Sequence, residues 1–320
     1  RGKPTGGGIL IVLLSLPWLV LVLPPEPLYW GAVLCLTVCM LTGYLDDRSE
    51  EPWGEVQKGV LDVGVALLTS LVLCRGHAMT IWIPLYKGDV ELPAWGFVLV
   101  GTAVLWFTIN ATNCSDGVDG LAGSLTLLSL FYLGALLYVV VGHVDVAEYL
   151  LIPHNPNGAS WALLVFTAAG GLAGYLWHNA GPSAVLMGDA GSRFLGLLVG
   201  VSVLVAGNPL LVLVVAPVAL ANGGTGLFKL GLLRVLGRLG VDIRTPEAVQ
   251  AGADSDDANG SHGIGQRPHC MIRMLHRIRF PLHDHCRKKL EWSDTQVLLR
   301  FVLIQAFLTP LLLVLLVKLR

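Results

Sequence analysis

Nine apolar runs, near 9–23, 28–45, 59–74, 95–109, 121–142, 159–177, 191–206, 209–228 and 299–317, occupy most of the chain. Each approaches the ~20 residues that carry a helix across a bilayer. Only 13% of the residues are charged, against roughly 25% in a soluble domain, so a water-soluble globule is excluded. The runs are continuous and rich in Leu and Val, without the period-two alternation of barrel strands, and helices are therefore the expected spanning elements. The expected fold class is an all-α, polytopic integral membrane helix bundle of about nine transmembrane helices.

The net charge of −1 conceals an asymmetry that appears once charges are assigned to loops. If the nine runs alternate, Arg1–Lys3, the loops 46–58, 110–120 and 178–190, and the stretch 229–298 share one face. That face carries 17 of the 21 Lys and Arg; Arg75, Lys87, Lys318 and Arg320 lie on the other. The positive-inside rule makes the basic face cytoplasmic. Six Cys are scattered over spans and loops, with no even set in any one loop, so no disulfide framework is expected. No repeat and no separable soluble domain is visible. Residues 1–320 are read as a single membrane-embedded domain, in which 229–298 is a long cytoplasmic loop. Within it, 251–266 is polar and Gly/Asp-rich, and 267–292 interleaves basic with apolar residues like an amphipathic segment at headgroup level. Residues 80–95, on the outer face, read as a short hairpin.

Three acidic clusters sit at cytoplasmic helix mouths: Asp46 and Asp47 in GYLDDRSEE, Asp116 and Asp119 in NATNCSDGVDG, and Asp189 in MGDAGSRFLG. One loop carboxylate needs no explanation beyond solvation, but five together do. An N-cap role fits Asp119 or Asp189. It does not fit Asp46 and Asp47, which follow a span and so face the negative end of a helix dipole. A cation should compensate them, either a lysine or a divalent metal with phosphates. Asp and Asn oxygens beside glycines suit Mg²⁺ rather than zinc, and a Mg²⁺ held by few carboxylates implies a phosphate ester or anhydride as substrate. Lys58 and Arg193 are natural phosphate partners, and the whole suits phosphoryl transfer. Asp62, four residues after Lys58, is expected to form a structural ion pair with it. The cluster around His283, Asp284 and His285 is read as phosphate-binding; its spacing is weak for zinc.

These strings resemble the polyprenyl-phosphate N-acetylhexosamine-1-phosphate transferase superfamily, and within it the phospho-N-acetylmuramoyl-pentapeptide transferases. The matching segments are RGKPTGGG (1–8), GYLDD (43–47), QKG (57–59), NATNCSDGVDGLAGS (110–124), HNAGPSAVLMGDAGS (178–192) and PLHDH with EWSDTQVLLRF (281–301), in family order. The resemblance implies ten helices, of which the one preceding RGKPTGGG is absent from this sequence. It also implies a cytoplasmic cleft at a bacterial inner membrane. There, phospho-N-acetylmuramoyl-pentapeptide would pass from a UDP carrier to undecaprenyl phosphate, with release of UMP, formation of lipid I and a requirement for Mg²⁺. The implied metal ligands are Asp189 and Asn113. Asp46 and Asp47 would activate the lipid phosphate or position the metal and diphosphate, and Asp116 and Asp119 would lie on the nucleotide side. Thr5, Lys58, Asn110 and Arg193 would contact substrate, and His283 and His285 complete the implied catalytic set. Implied partners are the UDP-sugar, the polyprenyl phosphate, membrane lipids and a second copy of the chain, but not nucleic acid. Two positions depart from the pattern: Asp284 replaces a middle imidazole, and Leu186 stands where a Phe often precedes the GD string. A UDP-N-acetylglucosamine or other UDP-aminosugar donor is the alternative reading, and an inactive scaffold a lesser one. A transporter is disfavoured because its charges belong at the bilayer midplane.

Overall fold

The computed structural model describes residues 2–51, 53–239 and 279–319. Helices α1 (Gly8–Val22), α2 (Pro27–Arg48) and α3 (Glu55–Cys74) lead into a two-stranded antiparallel hairpin, β1 (Met79–Ile81) and β2 (Val90–Leu92). The strands pair through Thr80 and Glu91, where the sequence placed a hairpin. There follow α4 (Ala94–Ser115), α5 (Leu121–Val141), the short α6 (Val144–Tyr149), α7 (Gly158–Asn179) and α8 (Gly188–Val205). After these come α9 (Pro209–Val215), α10 (Pro217–Arg238), α11 (Leu282–Lys289) and α12 (Asp294–Lys318).

Among the described residues seven helices are long and apolar enough to cross a membrane, and an eighth span arises if α9 and α10 count as one. The all-α, multi-pass architecture is thus as expected, with two differences. The run 209–228 is not one straight helix: α9 and α10 meet at 90°. Pro217 lacks the N–H that would continue the ladder, and its ring cannot stack on the preceding turn. The first run forms a helix of only 15 residues. The stretch 240–278, with its polar segment and His262, His269, Cys270 and His276, lies outside the described residues.

Helix α8 is the axis of the bundle. Of its spanning window 89% is buried, against 22% for α12, so α8 meets protein all round while α12 turns most of its apolar surface to lipid. Small residues permit that packing, because lipid supplies no hydrophobic force between helices and close van der Waals approach must hold them. A Cβ on Gly43 would strike the backbone of Asp189 and Ala190, and one on Gly196 the backbone of Thr108 and Ile109. Buried polar side chains are largely satisfied within the bundle. Gln305 donates to the Leu125 carbonyl at 2.6 Å and to Ser129 Oγ at 3.1 Å, linking α12 to α5. Trp82 Nε1 donates to the Ala206 carbonyl at 2.9 Å and seats the hairpin on the far end of α8. Because α2, α4 and α7 end where α3, α5 and α8 begin, their polar mouths gather at the opposite end from the hairpin.

Candidate active site

Asp46 and Asp47 end α2, and their environments separate at once. Asp47 turns to the N-terminus of α8 and accepts the backbone N–H groups of Asp189 at 3.0 Å and Ala190 at 3.1 Å. The negative end of one helix dipole is thereby relieved by the positive end of another. This approach requires Gly188, whose φ is +70° and whose Cβ, if present, would collide with the Asp47 carboxylate. Asp46 is buried. It accepts the Trp53 N–H at 2.9 Å and forms an ion pair with Lys58. Lys58 Nζ also lies 3.0 Å from Asp189 Oδ2, so one ammonium bridges α2 and α8. The compensating cation expected from sequence is therefore a lysine for Asp46 and a helix terminus for Asp47. Asp189 does not cap α8 with its side chain; it sits in the first turn and faces the ammonium.

The expected pairing of Lys58 with Asp62 is not what forms. Asp62, 2% exposed, instead accepts Arg193 Nε at 2.9 Å, with Nη2 on the same oxygen. Arg193 is 1% exposed, so it is no phosphate partner: the guanidinium is enclosed one turn inside the bundle from Asp189. Asn110 is drawn inward too. Its amide donates to the Trp106 carbonyl at 2.9 Å, and its side chain bonds to Asp62. Spacing along α3 suggested the Lys58–Asp62 pair, and only the crossing of α3 with α8 could supply the alternatives.

The remaining carboxylates rim the same mouth. Asp116 caps α4. Its side chain is exposed at the rim, and the protein packed around it, with the charges of Asp189, Asp47 and Asp119, pushes its carboxyl upward. Asp119 is held below the usual carboxylate range despite partial burial, because Ser183 donates to it and Lys3 lies beside it at 3.5 Å. Asn113 Nδ2 is 3.3 Å from Ser192 Oγ, which ties α4 to α8 next to Asp189. Thr5 is exposed on a segment that runs beside 186–188. There the Pro4 carbonyl accepts from Leu186 N at 2.9 Å, and Gly7 N donates to the Leu186 carbonyl at 2.9 Å.

His283 is buried, not open to the cleft. Its backbone N–H donates to Asn222 Oδ1 at 2.9 Å, and its Nδ1 lies 3.1 Å from the same oxygen. Its Nε2 abuts Gly117, where any side chain would collide with it. Burial pushes this imidazole below its ordinary value. His285 is partly exposed, its Nδ1 3.2 Å from the Arg279 N–H, and Asp284 pairs with Lys288 at 3.2 Å. Sequence reasoning missed Asn222, which lies in a π-helical turn, Leu220–Gly224, and whose Nδ2 is buried without a partner. The available signal was an Asn inside an apolar run, which is costly in a membrane unless used.

The donor set at the mouth fits a hard divalent cation. All its acidic groups offer oxygen, and the carboxylates Asp46, Asp47, Asp116, Asp119 and Asp189 outnumber the ammonium groups of Lys58 and Lys3 beside them. Among the described residues no three His, Cys, Asp or Glu side chains close into a ready cage. A divalent ion held by few side chains would complete its shell with water and substrate phosphates.

Carboxylates and a lysine gathered at one mouth of a multi-pass helix bundle suit an enzyme that handles phosphoryl groups. Residues 29–207 match the model of glycosyl transferase family 4. The chain is 43% identical to the phospho-N-acetylmuramoyl-pentapeptide-transferase of Treponema pallidum (strain Nichols), over all of this chain and 79% of that protein. It is 32% identical to the enzyme of that name from Nitratidesulfovibrio vulgaris (strain DP4), over 75% of this chain and 66% of the relative. With the one from Aliarcobacter butzleri it shares 28%, over all of this chain and 82% of the relative. The chain belongs to the phospho-N-acetylmuramoyl-pentapeptide transferase family, and it is a phosphoglycosyl transferase.

Proposed function

We propose that the enzyme transfers phospho-N-acetylmuramoyl-pentapeptide from its UDP carrier to undecaprenyl phosphate, forming lipid I and releasing UMP on the cytoplasmic face of the bacterial inner membrane. The observation that carries this reading is the convergence of Asp46, Asp47, Lys58 and Asp189 from three helices onto one mouth in a member of this family. An oxygen of the lipid phosphate attacks the β-phosphorus of the donor, the bond to the bridging oxygen breaks, and that oxygen leaves with UMP. A phosphate monoester is largely dianionic at neutral pH, with a second pKa near ~6, so attack demands positioning more than a strong base. Lys58, held on two carboxylates, is placed to exchange one of them for a phosphate oxygen and to neutralise developing charge. Asp47 fixes the N-terminus of α8 and with it Asp189.

Asp189 and Asn113 would hold Mg²⁺, which when bound neutralises the diphosphate. Asp116 and Asp119 border the nucleotide side, with Thr5 on the adjacent segment. His283 acts by holding α11 against the 116–118 loop, leaving His285 as the histidine nearer the donor. Arg193 and Asn110 are withdrawn from substrate by their bonds to Asp62. The test is mass spectrometry of the lipid product after incubation with undecaprenyl phosphate and a panel of UDP-aminosugars. A product carrying the MurNAc-pentapeptide phosphate supports the reading, and a product only from an N-acetylglucosamine donor overturns it.

A further inference from the structure

Lys58 and Asp62 are four residues apart on α3, and Asp189 and Arg193 are four apart on α8, so each pair shares one helix face. Both helices run inward from the site mouth, and the cross-helix partners are Lys58 with Asp189 at 3.0 Å and Arg193 Nε with Asp62 at 2.9 Å. The four charges therefore make a square whose sign alternates along each helix and across them. Sliding α3 by one helical turn, about 5.4 Å, brings like charges together in either direction: Asp62 against Asp189, or Lys58 against Arg193.

Stability alone does not account for the inner pair. Desolvating two charges offsets much of their attraction, and well-packed apolar residues often serve as well or better. Here Arg193 Nη1 is also buried with no partner, a further cost. Ionisable groups inside a membrane bundle are rare and mark function by default, and buried ionic groups are best attested as devices that fix register. Asn110 holds Asp62 from the α4 side, which orients the carboxylate toward α8.

We infer that Asp62 and Arg193 are positioning residues, a register lock that sets α3 on α8 so that the Lys58 ammonium meets Asp189. The inference rests on the proposed role of the Lys58–Asp189 mouth in phosphoryl transfer. Its experiment compares the full chain carrying Asp62→Leu with Arg193→Met, the swapped pair Asp62→Arg with Arg193→Asp, and the single change Arg193→Lys. Thermal unfolding and steady-state kinetics of lipid product formation are measured for each. The swap keeps an ion pair but puts two positive charges on α3 and two negative on α8, so neither slip is opposed.

The lock predicts that the apolar pair and the swap unfold near the wild-type temperature yet lose at least about tenfold in kcat, as small misplacements of reacting groups do. Donor KM should move far less. Arg193→Lys, which preserves the order of signs, should keep kcat within about threefold, since it alters bond geometry without altering charge. A folded swap or apolar variant with wild-type kcat overturns the lock, and so does a Lys variant as impaired as the apolar pair. If neither double variant folds, Arg193→Lys decides alone: kcat within about threefold of wild type supports the lock, and a loss of about tenfold or more overturns it. Asp189→Asn, assayed in parallel, separates the two readings. Turnover in that variant would defeat the site itself, whereas a dead Asp189→Asn beside a fully active apolar pair defeats only the lock.

Discussion

At Lys58 a single ammonium answers two carboxylates from different helices, and the site depends on that economy. Replacing Lys58 by Met leaves Asp46 buried beside a methyl group, and turnover is expected to fall by 10²-fold or more, as when a preorganised charge partner is lost. Asp189→Asn is expected to abolish turnover while the protein still folds, because Asp189 lies at the mouth and not in the packed interior. Activity near wild type in that variant, or full activity in EDTA, would sink the metal assignment. His283 makes a prediction in pH. Its imidazole is pushed below its ordinary 6.5 by burial, so the folded chain prefers it neutral and the unfolded chain binds the extra proton. Its stabilising contribution is complete above about 6.5 and is lost as pH falls through the lowered native value. The unfolding temperature should therefore drop as pH falls below 6.5, and His283→Gln should flatten that dependence.

Elements meet at this mouth through glycine. Gly188 adopts φ +70° and leaves the space that the Asp47 carboxylate fills. A side chain there must bear both the left-handed backbone and the collision. Gly188→Ala is expected to destabilise by about 1–2 kcal/mol from backbone conformation alone and to lower kcat, because Asp47 must leave the α8 amides. An equally costly change elsewhere supplies the contrast. Ser293 caps α12 by accepting Gln296 N–H at 3.2 Å, and the Gln296 side chain returns to Ser293 N–H at 3.0 Å. Ser293→Ala should also cost about 1 kcal/mol but leave kcat of the folded enzyme unchanged. If both variants lose activity in proportion to their stability, Gly188 has no special relation to the site.

On the scale of the whole molecule, the mouths of α2, α3, α4, α5, α7 and α8 share one end of the bundle and the hairpin occupies the other. Single Cys residues introduced at positions 50 and 290 should react with an impermeant reagent from the cytoplasmic side only, and those at 88 and 155 from the outer side only. One of the first pair labelled from outside would break the shared cleft. The bend between α9 and α10 does not disturb this arrangement, because Asn222, beyond the bend, reaches His283 and through it the 116–118 loop.

What the sequence by itself determined was the class of molecule and which carboxylates stand at the ends of its helices. A bilayer forces each spanning segment to satisfy its own backbone, so length and apolarity announce helices locally, and carboxylates at their ends stand out against an apolar background. The fate of those carboxylates was not local. Asp62 lies at helical spacing from Lys58, yet Arg193, far along the chain, takes it, because α8 runs through the centre of the bundle and presents the guanidinium one turn below Asp189. Asp46 and Asp47 are adjacent in sequence, but one faces an ammonium and the other a helix N-terminus. The run 209–228 reads in sequence as one span, and the 90° bend at Pro217 appears only in the structure. Pairing between charges on different helices depends on which helices cross and at what height, and the tertiary structure alone decided that.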